Sequence, residues 1–73
     1  METFRLGRAG GAESVDYFVR ADTVTQAREF VSRVVPDAAA ATNNTLFYCI
    51  PDRTRTPPLG TVVGTNGKMW TLS

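Results

Sequence analysis

The sequence predicts a small α+β domain of two layers, with one amphipathic helix packed on a mostly antiparallel sheet in the order β-β-α-β-β-β. Three observations support this prediction: strict polar–apolar alternation over residues 14–21, an apolar stripe at helical spacing over 24–35, and an Asn-Gly pair between two β-type runs near the end. Because the chain has 73 residues, we expect residues 1–73 to form one domain.

Two strands are expected before the helix. Residues 3–6 alternate polar and apolar side chains, which places Phe4 and Leu6 on one face of the first strand. Glycine-rich residues 7–12 are typical of a turn, because glycine readily adopts positive φ. Residues 14–21 form the second strand. Its alternation separates one face, with Val15, Tyr17, Val19 and Ala21, from a second face, with Ser14, Asp16, Phe18 and Arg20.

The helix has clear signals at both ends. Thr23 and Gln26 match a capping box, in which the Thr23 hydroxyl accepts a hydrogen bond from the first turn. Pro36 ends the helix, because proline lacks an N–H and disfavours helical geometry at the residue before it. We therefore expect a helix over 24–35. Its apolar stripe consists of Val24, Ala27, Phe30, Val31 and Val34.

Four segments follow the helix. Residues 37–44 are alanine-rich and are interpreted as a connector, since a single isolated helical turn is marginal in water. Residues 45–50 are apolar on both faces, which is typical of a central strand. Residues 51–58 contain three prolines and predict an exposed, stiff loop. Residues 61–72 predict a hairpin.

The hairpin prediction rests on Asn66-Gly67, the sequence preferred in a two-residue type I′ turn. This turn would place Thr65 opposite Lys68 and Val63 opposite Trp70. The face expected to meet the core then carries Thr61, Val63, Trp70 and Leu72.

One helix covers only one face of a sheet, so the second face needs its own cover. Phe18 belongs to it, together with one face of the third strand: either Phe47 with Cys49, or Leu46 with Tyr48 and Ile50. Three structures could cover this second face: closure of the sheet into a barrel, the alanine-rich connector, or a partner. An aromatic-bearing face without a layer of its own points to association.

Composition excludes several kinds of chemistry. The chain has no histidine and one cysteine, which rules out an internal disulfide, a Ser-His-Asp or Cys-His nucleophile and, in practice, a zinc site. We expect no enzymatic activity, no catalytic residue, no cofactor or metal, and no small-molecule substrate. Cys49 lies in an apolar run and is interpreted as a small buried hydrophobe rather than a reactive thiol.

Membrane and targeting signals are not expected either. No apolar run approaches the roughly 20 residues that cross a bilayer, and the first residues lack the apolar region of a signal peptide. We therefore expect a cytoplasmic protein without a membrane partner.

The candidate binding residues are mostly arginines. Arg53 and Arg55 lie on the proline-stiffened loop, and Lys68 lies at the predicted hairpin tip. Arg5 and Arg20 lie on the polar sheet face, where Phe18 stands between them. Arginine and aromatic residues are enriched at the centres of protein interfaces. These six residues therefore predict a protein partner, which is a second copy of the chain or a larger target.

The predicted function is stoichiometric association, as an inhibitor or adaptor. Short, cofactor-free chains of this kind include phage-encoded proteins that block host defence, an association that rests on size and composition alone. The alternative is a nucleic-acid-binding domain that uses the Arg/aromatic sheet face and the loop of Arg53 and Arg55. A net charge of only +1 argues against it, because phosphate affinity grows with accumulated positive charge.

Overall fold

A computed structural model describes residues 1–8, 15–35 and 47–72. The predicted class and element order are confirmed, because one helix packs on a five-stranded antiparallel sheet. The predicted connector at 37–44 and most of the predicted turn at 7–12 lie outside the described residues. The elements are β1 (Glu2–Arg8), β2 (Tyr17–Ala21), α1 (Val24–Val34), β3 (Phe47–Pro51), β4 (Thr61–Gly64) and β5 (Met69–Thr71).

The strands lie side by side in the order β3-β1-β2-β4-β5. β1 and β2 occupy central positions, and β3 lies at one edge of the sheet that the described residues form. The expectation of a central β3 is therefore wrong. A run of apolar residues indicates that both faces of a strand are packed, but it does not determine the position of the strand in the sheet. Because β1 pairs with both β2 and β3, β3 has one neighbouring strand. Ile50 of β3 is 48% exposed as a result.

The face of the sheet that meets α1 forms the main core. Alternation places Phe4 and Leu6 of β1 beside Tyr17 and Val19 of β2, as the sequence predicts. Trp70 packs against this core and meets the Tyr17 ring edge to face, with 5.7 Å between the ring centroids. The fully or nearly fully buried apolar residues of this core are Phe4, Leu6, Tyr17, Val19, Ala21, Ala27, Val31, Val35 and Val62.

The predicted start of α1 is confirmed. The Gln26 N–H donates to the Thr23 hydroxyl at 3.1 Å. The Gln26 side chain in turn accepts from the Asp22 N–H at 2.7 Å, one residue earlier than in a standard capping box. At the other end, the buried Val35 caps the helix and its N–H donates to the Val31 carbonyl at 2.9 Å. Within the described residues, no helix has the length and apolar character needed to span a bilayer.

The turn between β4 and β5 has three residues instead of the two predicted. The Gly67 N–H donates to the Gly64 carbonyl at 3.1 Å, and the Gly64 N–H donates to the Lys68 carbonyl at 2.8 Å. Gly67 has a φ of 86°, whereas no described non-glycine residue has a positive φ. Asn66 therefore does not adopt the left-handed conformation of a type I′ turn. Loop 65–67 instead matches a turn followed by a left-handed glycine.

The extra turn residue shifts the hairpin register by one. Val62 pairs with Trp70 and Val63 with Met69, so the predicted pairing of Val63 with Trp70 is wrong. Because side chains alternate along a strand, this shift exchanges the two faces of β4. Val62 packs fully buried beneath α1, and Val63 and Thr61 lie on the opposite face.

A loop covers the second face of the sheet. The Asp52 N–H donates to the Thr3 carbonyl of β1 at 2.9 Å, and the Thr61 N–H donates to the Pro58 carbonyl at 3.1 Å. Pro57, between these two anchors, is buried. We call residues 52–60 the cover loop. Residues 53–56, 58 and 59 are exposed, as predicted for this loop. The Arg55 guanidinium nevertheless lies over the Phe18 ring, so the loop supplies a cover that was not among the three expected.

Candidate functional site

Five of the six predicted binding residues come together on the sheet face opposite α1. Period-two alternation places Arg5 of β1 and Phe18 and Arg20 of β2 on this face. The cover loop adds Arg53, which shares a cleft with Arg20, and Arg55, which approaches Phe18. We call these five residues the arginine face.

Phe18 lies at the centre of the arginine face. The guanidinium carbons of Arg5 and Arg55 lie 5.6 and 5.5 Å from its ring centroid, within the range of cation–π attraction. The Phe18 side chain is only 1% exposed. The expectation that this ring is exposed is therefore wrong, because charged side chains of the same chain enclose it, whereas its role in partner binding stays a prediction.

Asp16 gathers a polar network beside this ring. Its Oδ2 accepts hydrogen bonds from Arg5 Nε at 2.7 Å and from the Tyr48 hydroxyl at 2.8 Å. Arg5 also forms an ion pair with the same carboxylate. The network joins β1, β3 and the residue before β2, so it holds three neighbouring segments in place.

Gly7 makes room for this network. A Cβ at Gly7 would lie 2.6 Å from the Tyr48 hydroxyl oxygen and 2.8 Å from its ring carbon Cζ, and it would overlap the Asp16 carboxylate. The hydrogen bond between Tyr48 and Asp16 therefore crosses β1 above a residue without a side chain. The sequence pattern places Gly7 at a break, whereas β1 continues through it to Arg8.

Asp52 anchors the cover loop to the same network. Its Oδ1 accepts from the Thr54 N–H at 2.8 Å and from the Thr54 hydroxyl at 2.6 Å, a local turn that begins the loop. Its Oδ2 lies 3.5 Å from Arg5 Nη1. The hydrogen bonds from Thr54 are the main reason why the pKa of Asp52 lies below its ordinary value, with a smaller contribution from Arg5.

Titration of the network follows from these contacts. The hydrogen bond with Asp16 raises the pKa of Arg5, which stays charged. Burial, followed by the hydrogen bond to Asp16, raises the pKa of Tyr48, so its hydroxyl stays protonated and donating. Both carboxylates thus have structural partners, and their chemistry is that of acceptors for Arg5, Tyr48 and Thr54.

Arg20 and Arg53 have a different environment from Arg5. They line an open cleft of about 240 Å³ where the cover loop passes the ends of β1 and β2. Within the described residues, no ion pair joins either guanidinium to a carboxylate. The other residues that line the cleft are Met1, Glu2, Thr3 and Thr56.

Lys68 lies apart from the arginine face. It follows the hairpin loop and pairs through its backbone with Gly64, which lies opposite Tyr17 at one end of β2. Arg20 lies three residues beyond Tyr17 along β2, and the strand rises about 10 Å over these three residues. Lys68 is exposed, and its expected role in binding stays a prediction for a separate contact.

Two exposed apolar residues flank the arginine face. A single cross-strand row runs from β3 to β5 through Ile50, Arg5, Phe18, Val63 and Met69. Its two ends are open, since Ile50 is 48% and Met69 60% exposed. The sequence pattern did not single out Met69, because the predicted register assigned its strand to the wrong partner residues.

Acidic side chains and the thiol of Cys49 are the groups that could bind a metal ion or react as a nucleophile. Across residues 1–8, 15–35 and 47–72, no group of three or more Cys, Asp or Glu side chains is placed to hold a metal ion. Cys49 is a free, half-buried thiol that packs against the core beneath α1. Burial raises the pKa of this thiol, which disfavours the reactive thiolate.

Comparison with known proteins adds no relative to this description. No family model matches the chain, and no similar protein was found among curated proteins or among solved structures. The assignment of a function therefore depends on the arginine face itself.

Proposed function

We propose that the protein is a non-catalytic binding module that associates stoichiometrically with a protein partner through the arginine face. The observation that supports this proposal most is the composition of the open part of that face. Arg20 and Arg53 line a cleft without intramolecular ion pairs in the described residues, and exposed Ile50 and Met69 flank the centre. Arginine, methionine and other apolar side chains are typical of interface centres.

Nucleic acid is the less favoured partner, because the face lacks an open aromatic ring. Phe18 is buried, and the hydroxyl of the half-buried Tyr48 is bonded to Asp16. Binding of single strands depends on bases that stack on such rings. In addition, the positive charge of Arg5 is met by two carboxylates, and the chain as a whole has a net charge of +1.

The proposed mode of action is occupation of a partner's surface, as an inhibitor or adaptor, with phage-encoded blockers of host defence as one class that fits. The partner is a larger target or a second copy of the chain. A cytoplasmic location belongs to the same proposal, since the single cysteine would remain a reduced thiol there.

A comparative pull-down tests the proposal. Tagged wild type is compared with Arg53→Glu/Arg55→Glu, which reverses two charges on the arginine face, and with Arg28→Glu/Arg33→Glu, a control with the same charge change on α1. Circular dichroism establishes that all three proteins are folded. We expect one protein to be captured in a fixed ratio by wild type and control and lost from the face variant. Equal capture by all three would refute the proposal.

Light scattering separates the two kinds of protein partner. A homodimer would give twice the 8.0 kDa chain mass, and Arg53→Glu/Arg55→Glu would return the protein to the monomer mass. A wild-type monomer excludes self-association and directs the proposal to a larger target. If single-stranded or duplex oligonucleotides bind at low salt and are lost from the face variant, the nucleic-acid alternative replaces the protein proposal.

A further inference from the structure

We propose that the cleft of Arg20 and Arg53 is the subsite that takes a carboxylate from an acidic segment of the protein partner. This inference rests on the proposed function and names the chemistry of the partner. It assigns the two arginines as the residues that bind the anionic group, and it places the subsite where the cover loop crosses β1 and β2.

Backbone hydrogen bonds position both sides of this cleft. The β1–β2 ladder pairs Thr3 with Arg20, which sets the sheet side. The same Thr3 accepts the Asp52 N–H at 2.9 Å through its carbonyl, which sets the loop side directly before Arg53. The two arginines thus come from segments that are 33 residues apart in sequence but are anchored at one residue. Both arginines line the same cleft, where one ligand can reach them.

Arg5 differs from Arg20 and Arg53 in the ion pairs that it forms within the chain. Arg5 meets Asp16 and Asp52 within the chain. Arg20 and Arg53 have no such ion pair among the described residues, although Glu2 also contributes to the lining of the cleft. An arginine without an internal partner can bind a carboxylate through two parallel N–H···O hydrogen bonds.

The size and charge of the cleft favour a carboxylate over a run of phosphates. The side chains that line the cleft carry two guanidinium groups and the carboxylate of Glu2, which leaves a small positive charge that suits a single anionic group. A volume of about 240 Å³ is enough for a single acidic side chain. The exposed Thr56 adds a hydroxyl that can donate to the second carboxylate oxygen.

A peptide titration followed by amide NMR shifts tests this assignment. The probe is acetylated and amidated hexaglutamate, and the control peptide is the hexaglutamine of the same length. We expect hexaglutamate alone to shift the amides of Thr3, Arg20, Arg53 and Thr56. In Arg20→Gln/Arg53→Gln its affinity should fall at least about tenfold. The matched control, Arg28→Gln/Arg33→Gln on α1, should bind as wild type does. Equal binding by both variants would overturn the proposal.

Two further arms separate this inference from the proposed function. If the captured partner is lost from Arg53→Glu/Arg55→Glu but binds Arg20→Gln/Arg53→Gln as tightly as wild type, the function stands and the cleft assignment fails. If no variant changes capture, the function fails, and the hexaglutamate titration still decides the chemistry of the cleft. A six-residue oligothymidylate that binds the cleft more tightly than hexaglutamate would overturn the carboxylate assignment.

Discussion

The two faces of the sheet are built from alternate residues of the same strands, yet they are held together by different forces. Beneath α1, Leu6 and Val19 are fully buried among apolar neighbours. On the arginine face, the buried Phe18 is enclosed by the guanidinium groups of Arg5 and Arg55, and Asp16 joins Arg5 to Tyr48. The first face depends on apolar volume, whereas the second depends on charge, hydrogen bonds and pH.

This difference separates the part of the molecule that stabilises the fold from the part that is free to bind. Apolar packing contributes about 25 cal/mol per Å² of buried surface and responds little to salt. Ion pairs near the surface contribute less and are screened by salt. Changes beneath α1 should therefore cost the most stability, and changes at Arg20 and Arg53 should alter binding while leaving the fold intact.

The largest loss of stability is expected from Leu6→Ala beneath α1. The side chain is fully buried, so its removal leaves a cavity and should lower the free energy of unfolding by about 2–5 kcal/mol. Urea unfolding at low and high salt measures this loss, which should be the same in both. A loss that depends strongly on salt would show that the two faces do not differ as described.

A smaller loss is expected from Gly7→Ala on the opposite face. The added methyl group must displace the Tyr48 ring and the Asp16 carboxylate, at a cost of about 1–3 kcal/mol. The cost should be smaller when Asp16 is already alanine, because one of the two displaced groups is gone. Additive losses in this double-mutant cycle would contradict the proposed crossing of β1.

Alkaline pH should weaken the arginine face through Tyr48. Its pKa is raised in the folded state, so its contribution is complete below the ordinary value near 10 and is lost as pH rises through the folded value. Tyr48→Phe should cost about 1 kcal/mol at neutral pH. The difference in urea midpoint between the two proteins should shrink above about pH 10. A constant difference would argue against a donating Tyr48 hydroxyl.

Acid pH should release the anchor of the cover loop, with the smallest expected effect on stability. The folded pKa of Asp52 is lowered, so its contribution is present above the ordinary value near 4 and is lost as pH falls through the folded value. Wild type should therefore exceed Asp52→Asn in urea midpoint at neutral pH and approach it in acid. Parallel curves over the whole acid range would show that Asp52 does not hold the loop.

Much of the fold follows from local sequence patterns. Alternation over 14–21 assigns both faces of β2, and the spacing of Thr23 and Gln26 identifies the start of α1. These features depend on neighbouring residues, so they can be recognised without knowledge of the rest of the chain.

The errors concern features set by distant contacts or small energy differences. The hairpin register depends on whether Asn66 or only Gly67 adopts a positive φ, and an Asn-Gly pair permits both choices. The edge position of β3 depends on which strand pairs with β2, and that strand is β1. The cover over Phe18 depends on Arg55, which comes from a segment far away in sequence.

The candidate site shows the same division. Alternation already places Arg5, Phe18 and Arg20 on one face, whereas the cleft of Arg20 and Arg53 requires the hydrogen bond between Asp52 and Thr3. The alternation pattern did not predict the burial of Phe18. A single aromatic residue on a polar face is expected to be exposed, and the two arginines that cover it come from other segments of the chain.

The central claim is that Arg20 and Arg53 serve binding and not folding, and the affinity for the captured protein partner tests it most directly. Isothermal titration at physiological salt compares wild type, Arg20→Glu/Arg53→Glu and, as the control, Arg28→Glu/Arg33→Glu. We expect the cleft variant to bind at least about a hundredfold more weakly and the control to stay within about threefold of wild type. Equal affinities of the cleft variant and wild type would contradict the claim.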